Sequence, residues 1–193
     1  MEIIDPRQLL VRVANILEQF NIPYLVTGGM AVLVWGRPRF TADIDIIIKL
    51  KINNIDSLAS ALMGISEFGY VDKDTMQEAL SNNGEFNFID GESGVKVDFW
   101  VVNQKTSGTD EFSRGIAKEV LGQKVYFISP EDLILSKLRW NKISPSSRHL
   151  EDIESVLKIS EVDNKYLKNW AKKLGVTDNL NSLLREIRKV SRK

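Results

Sequence analysis

Apolar residues recur every three or four positions through Leu9, Leu10, Val13, Ile16, Leu17 and Phe20, the spacing that gives a helix one buried stripe. Asp5-Pro6 just before that run is a helix start, because an Asp oxygen accepts from the first free amides and proline loses nothing at the first helical position. Asn21-Ile22-Pro23 ends the helix, and Tyr24 to Thr27 reads as a short strand closed by Gly28-Gly29. Met30 to Trp35 is apolar throughout, which predicts a short buried helix stopping at Gly36. Beyond a loop over residues 37–41, the β-branched run from Asp43 to Leu50 predicts a central strand.

Helical spacing returns over Ile55 to Phe68 and Asp72 to Leu80, and Asn82-Asn83-Gly84 turns the chain. Glu85 to Asp90 and Val95 to Val102 alternate as strands, and Gly91-Glu92-Ser93-Gly94 joins them as a hairpin. A shorter pair of strands flanks Gly122-Gln123. Ser129-Pro130-Glu131-Asp132 is a second helix start, and four helices follow over about 131–142, 148–159, 163–174 and 178–191. The pattern therefore predicts an α/β (α+β) chain: a mixed sheet flanked by helices over 1–128, then an all-helical region over 129–193.

Composition narrows the chemistry. No cysteine is present, which excludes a disulfide scaffold, a thiolate zinc site and a cysteine nucleophile. A single histidine, His149, excludes a multi-histidine metal site and reads as structural. The N-terminus, Met1 to Pro6, lacks the basic and apolar regions of a signal peptide. No apolar run reaches the ~18 residues of a membrane span, so a soluble cytoplasmic protein is expected. The 26 Lys+Arg balance 26 Asp+Glu, yet Asp163 to Lys193 holds nine basic residues, Arg192 and Lys193 among them, against three acidic. That +6 tail, offset by −6 in the rest of the chain, is either a solvated helical face or a surface for a polyanion. Trp140 and Trp170 are expected to pack between helices.

The candidate chemistry centres on Asp43-Ile44-Asp45. Alternation in a strand puts both carboxylates on one face, with Ile44, Ile46 and Ile48 on the other. Like charges so placed repel, and either water at a strand edge or a divalent cation relieves them. Asp98 sits mid-strand on a face shared with Lys96 and Trp100, where it needs either an ion-pair partner or a ligand. Gly28-Gly29 lies between a strand and a helix, as an ordinary tight turn or as bare amides for phosphate oxygens.

Together, Val26-Thr27-Gly28-Gly29, Arg39-Phe40-Thr41-Ala42-Asp43-Ile44-Asp45 and Val97-Asp98-Phe99 resemble the nucleotidyltransferase fold of the DNA polymerase β superfamily. That pattern is a Gly-Gly or Gly-Ser turn, a D-x-D strand and a third Asp on an adjacent strand. The helical remainder is similar to small bacterial and archaeal members, including the AbiEii-like toxins. Those place a Lys on one helix before an Arg and an Asp on the next, positions filled here by Lys137, Arg148 and Asp152. Arg148 and Asp152, four apart, equally fit a surface ion pair.

The resemblance implies transfer of a nucleoside monophosphate from an NTP, ATP among them, to a hydroxyl on an RNA 3′ end, a protein or a small molecule. It implies two Mg²⁺ ions, or Mn²⁺ in their place, on Asp43, Asp45 and Asp98, with Asp98 as third ligand or as general base. Thr27, Gly28, Gly29 and Thr41 would line the phosphate cradle, Arg39 (or Arg37) would offset triphosphate charge, and Lys137 and Asp152 would contact the nucleotide. A toxin–antitoxin role, with an antitoxin or a second copy as partner, follows from the same resemblance. Many members carry Ser where Gly29 stands. Two alternatives compete: a degenerate module that binds nucleotide, RNA or protein without transfer, and a D-x-D glycosyltransferase. Three retained carboxylates oppose the first, and the upstream Gly-Gly with its short N-terminal region opposes the second.

Overall fold

The computed structural model describes residues 5–102 and 111–190; the expectations for residues 1–4 and for Arg192 and Lys193 lie outside them. The chain divides into two compact units, Met1–Met30 with Phe40–Ile128, and Ala31–Arg39 with Ser129–Lys193.

The first unit begins with α1 (Pro6–Gln19), capped as its sequence requires: the Arg7 amide donates to Asp5 Oδ1 at 2.9 Å. Its apolar stripe is buried through Leu9, Leu10, Val13 and Leu17. Then come β1 (Tyr24–Val26), α2 (Gly28–Trp35), β2 (Asp43–Ile48), α3 (Ile55–Met63), β3 (Tyr70–Val71) and α4 (Lys73–Asn82). β4 (Glu85–Ile89), β5 (Lys96–Val101), β6 (Ile116–Val120) and β7 (Gln123–Phe127) complete one seven-stranded sheet of order β3-β4-β5-β2-β1-β7-β6. β2 holds the centre, antiparallel to β1 and parallel to β5. Its isoleucines explain why: Ile44, Ile46 and Ile48 are wholly buried, and Phe86 stacks on Phe99 with ring centres 4.8 Å apart.

Three elements depart from the sequence reading. The helix expected to Phe68 stops at Met63, and the chain instead turns and adds β3 against Phe88–Ile89. Long-range contacts cause this. Ser66 is buried and its Oγ accepts from the Gly91 amide at 3.0 Å, while Gly91 passes so close to Phe68 that a Cβ would collide with its backbone. A two-residue strand offers no alternation to read. The last hairpin is longer than expected, starting at Ile116, because its edge strand β6 is too exposed to show an apolar pattern.

In the second unit, α5 (Pro130–Ile143), α6 (Ser147–Ile159), α7 (Asn164–Lys173) and α8 (Thr177–Val190) follow the predicted helices closely. Ser129 Oγ accepts from the Asp132 amide at 3.2 Å, and Asp163 caps α7 through the Lys165 and Tyr166 amides. Leu133, Ile134, Leu138, Ile153, Val156, Leu167 and Leu180 form its core. The end of α2 belongs to it: the Ser160 hydroxyl donates to the Trp35 carbonyl at 2.6 Å, and Gly36 lies too close to Ser155 and Val156 for a Cβ. Trp170 is partly buried beside Tyr166, whereas Trp140 is 42% exposed on α5 instead of packed away. Among the described residues no helix is long and apolar enough to cross a membrane.

Phe99 is fully buried and stacked, so Phe99→Ala is expected to cost about 3–5 kcal/mol in chemical denaturation followed by circular dichroism.

Candidate active site

Register decides what the two halves of the acidic motif face. Asp45 is paired with Asp98 across the parallel β2–β5 ladder, and Asp43 with Lys96. Cross-strand partners share a face at a spacing of about 4.8 Å, so the three carboxylates and one ammonium form a single patch. All three Asp side chains are partly buried. On the other side of β2, Val26 pairs with Ile46 and the Thr27 amide donates to the Asp45 carbonyl at 2.9 Å. That bond sets Gly28 directly against the Asp45 carboxylate. A Cβ at Gly28 would overlap Asp45 Oδ2, and the backbone there has φ +58°, a conformation glycine adopts without penalty.

Gly29 is equally constrained, since its Cβ would overlap the Thr41 hydroxyl. Thr41 in turn donates to Asp43 Oδ1 at 3.0 Å, orienting the first carboxylate. Gly28 and Gly29 open α2, whose first amides have no partner within the helix and carry the positive end of its dipole. Thr27, Gly28, Gly29, Thr41, Asp43, Asp45 and Asp98 are thus assembled in the first unit.

Lys96 brings a positive charge into the same patch. Its Nζ lies 2.9 Å from Asp98 Oδ2. The hydrogen bond to Asp98 raises its pKa, and the nearby charges of Asp43 and Glu85 add to that. Alternation had placed Lys96 on the face of Asp98, but its position opposite Asp43 depended on strand order. The oxygen-only donor set of Asp43, Asp45 and Asp98, beside bare amides, fits a hard cation such as Mg²⁺ or Mn²⁺. Among the described residues no group of three or more acidic or imidazole side chains is arranged to hold a metal ion by itself. Mg²⁺ does not need one, since it is commonly held by one or two carboxylates with substrate phosphates completing its shell.

The second unit carries its own cluster. Asp152 on α6 is 3% exposed and receives a fork from Arg39, Nε to Oδ1 at 2.7 Å and Nη2 to Oδ2 at 2.8 Å. Lys137 on α5, itself buried, adds its Nζ to Oδ2 at 2.8 Å. Burial pushes the Asp152 carboxyl up, but the hydrogen bonds from Arg39 and Lys137 outweigh it and hold the pKa below 3.8. Of the two readings of Arg148 and Asp152, the surface ion pair is not what forms: Asp152 points inward to Arg39 and Lys137, while Arg148 is exposed. His149 is half-buried beside this cluster. Desolvation and the Lys137 charge lower its pKa, and its Nδ1 is buried without a hydrogen-bond partner.

The glycine turn, the central D-x-D strand and the third Asp on its neighbour lie together as the nucleotidyltransferase resemblance implies. The chain belongs to the AbiEii family, whose model, described as the nucleotidyl transferase AbiEii toxin of a type IV toxin–antitoxin system, matches residues 8–191. Among solved structures, an antigenic nucleotidyltransferase-like protein from Paracoccidioides brasiliensis is similar at 21% identity and a TM-score of 0.64, covering 96% of this chain and 90% of its own. The antibiotic-resistance factor ANT(2'')-Ia, in solution, matches at 14% identity and a TM-score of 0.59, covering 97% of each chain. MenT4, a nucleotidyltransferase toxin from Mycobacterium tuberculosis, matches at 14% identity and a TM-score of 0.51, covering 87% of this chain and 63% of its own. These likenesses are of fold. No curated protein matches the sequence significantly.

Gly28→Ala is expected to lower stability by about 1–2 kcal/mol from its left-handed backbone alone, and to displace Asp45, measured by denaturation and by nucleotide binding. Asp152 titrates below its unfolded value, so its stabilisation is complete above the ordinary 3.8 and disappears as pH falls through the depressed folded pKa. Asp152→Asn removes the buried carboxylate charge that Arg39 and Lys137 share, at a cost of about 3–5 kcal/mol near neutral pH, and should flatten the acid limb of the stability–pH curve.

Proposed function

We propose that this chain transfers a nucleoside monophosphate from an NTP to a hydroxyl of RNA, in a divalent-metal-dependent reaction at the carboxylate patch. The observation that carries this reading is the β2–β5 register, which pairs Asp45 with Asp98 and keeps Asp43 on the same face beside the Gly28-Gly29 turn. The acceptor oxygen bonds to the α-phosphorus, the bond to the β-phosphate breaks, and pyrophosphate leaves. A divalent cation bound at the patch would supply positive charge to the triphosphate and lower the pKa of the acceptor hydroxyl.

The chain's own groups do the rest. Amides of Gly28 and Gly29 bind phosphate oxygens, and the absence of side chains there lets the phosphates approach the backbone. Thr41 keeps Asp43 oriented, and Thr27 holds the turn against Asp45. Asp98 takes the hydroxyl proton or completes the cation's ligands. RNA is favoured as acceptor by α7, which exposes Lys165, Lys168 and Lys172 along one face. Membership of a toxin family supports a cytoplasmic site of action and control by an antitoxin.

Incubation with each labelled NTP, Mg²⁺ and total tRNA should label RNA, and Asp45→Ala should abolish the labelling. Label on protein or small molecules alone would overturn the RNA acceptor; no transfer to any acceptor and no Mg²⁺–NTP binding would overturn the whole reading. Charge reversal at Lys168 and Lys172 should weaken RNA binding and flatten its salt dependence, each phosphate contact contributing a slope of about −0.7 to −0.9. Unchanged binding would exclude α7 as the RNA surface.

A further inference from the structure

The patch on β2 and β5 contains a cation of its own. Lys96 is the register partner of Asp43 and stands two residues before Asp98, the partner of Asp45, so an ammonium and three carboxylates occupy a two-by-two block on parallel strands. The ammonium does not point away into water: its Nζ lies 2.9 Å from Asp98 Oδ2, with Asp98 14% exposed and Lys96 46% exposed. On β4 the same face adds Glu85 and Asn87, partners of Trp100 and Asp98, so further negative charge borders the block but no second ammonium does among these strand positions. Lys96 therefore neutralises carboxylate repulsion where a metal ion is otherwise required.

We propose that Lys96 is a tethered counter-ion that couples metal entry to nucleotide arrival. It holds an Asp98 oxygen that a divalent cation would take, so a cation arriving alone must displace a charge-assisted hydrogen bond. A cation arriving with a triphosphate brings new anionic oxygens to which the Lys96 ammonium, half-exposed on a flexible four-carbon stem, can turn. The consequence is a site that discriminates against free metal in favour of metal–nucleotide. This inference rests on the carboxylate patch being the metal site proposed above.

The test is Mn²⁺ binding to the full chain, read by electron paramagnetic resonance with no nucleotide present. Lys96→Met should tighten Mn²⁺ binding about tenfold, the order expected for removing a unit charge a few ångströms away at a half-exposed site. Lys96→Arg, which keeps the charge, should bind Mn²⁺ as the unsubstituted chain does. Asp98→Asn combined with Lys96→Met should erase the gain, and a non-hydrolysable NTP analogue should narrow the gap between Lys96→Met and the unsubstituted chain. Equal Mn²⁺ affinity of the Lys96→Met and unsubstituted chains without nucleotide would overturn the proposal while leaving the metal site intact. If Asp43→Asn with Asp45→Asn leaves Mn²⁺ binding unchanged, or if no variant binds Mn²⁺ even with the analogue, the metal site itself fails and this inference with it. Lys96 is exposed, so the Lys96 variants should keep the native circular dichroism spectrum, and the same spectrum checks the fold of the Asp variants.

Discussion

Three carboxylates on one face of two neighbouring strands, Asp45 directly across from Asp98 and Asp43 two residues before Asp45, repel, and the first unit is organised around making that repulsion tolerable. β2 and β5 can carry Asp43, Asp45 and Asp98 on one face only because the opposite face is anchored by Ile44, Ile46, Ile48, Val97 and Phe99, all wholly buried. Burial of such side chains contributes roughly 1.5–3 kcal/mol each, so the five together exceed the roughly 1–4 kcal/mol by which two partly solvated carboxylates a few ångströms apart repel. Thr41 donates to Asp43, Lys96 pairs with Asp98, and Gly28 yields space to Asp45. Each acid is thus restrained by a different neighbour, and the patch is preorganised for positive charge.

The helical unit solves the opposite problem. Arg39 and Lys137 bring two positive charges to one buried carboxylate, so their mutual repulsion is offset by Asp152, and the fork of Arg39 fixes direction as well as charge. Because Arg39 comes from the segment before β2, this bond ties residues 31–39 into a unit otherwise built from the C-terminal helices. His149 sits beside the cluster with its pKa lowered first by burial and then by the charge of Lys137.

Most helices and the central strands were legible because their signals are local. An Asp or Ser before a proline caps a helix wherever the helix later packs, and alternation in Asp43–Ile48 sorts carboxylates from isoleucines without knowledge of the neighbours. Elements specified by distant contacts were not legible. The turn after Met63 depends on Ser66 meeting Gly91, β3 exists only as a partner for β4, and the exposed edge strand β6 has no apolar face to betray it. The same division holds in the sites. D-x-D, Gly-Gly and the third Asp are readable as a set, but the partners of Asp152 lie 113 and 15 residues away along the chain, and spacing on its own helix pointed to the wrong arginine.

What the sequence by itself determined is which groups are available and which of them share a strand face or a helix face, since both follow from backbone periodicity. With no thiol and one imidazole in the chain, it also excluded thiolate and multi-histidine ligand sets. What only the tertiary structure decided is who stands opposite whom: Asp45 against Asp98, Asp43 against Lys96, Asp152 against Arg39 and Lys137. Strand order and register are set by the sum of many buried contacts across the sheet, and no single stretch of chain contains that sum.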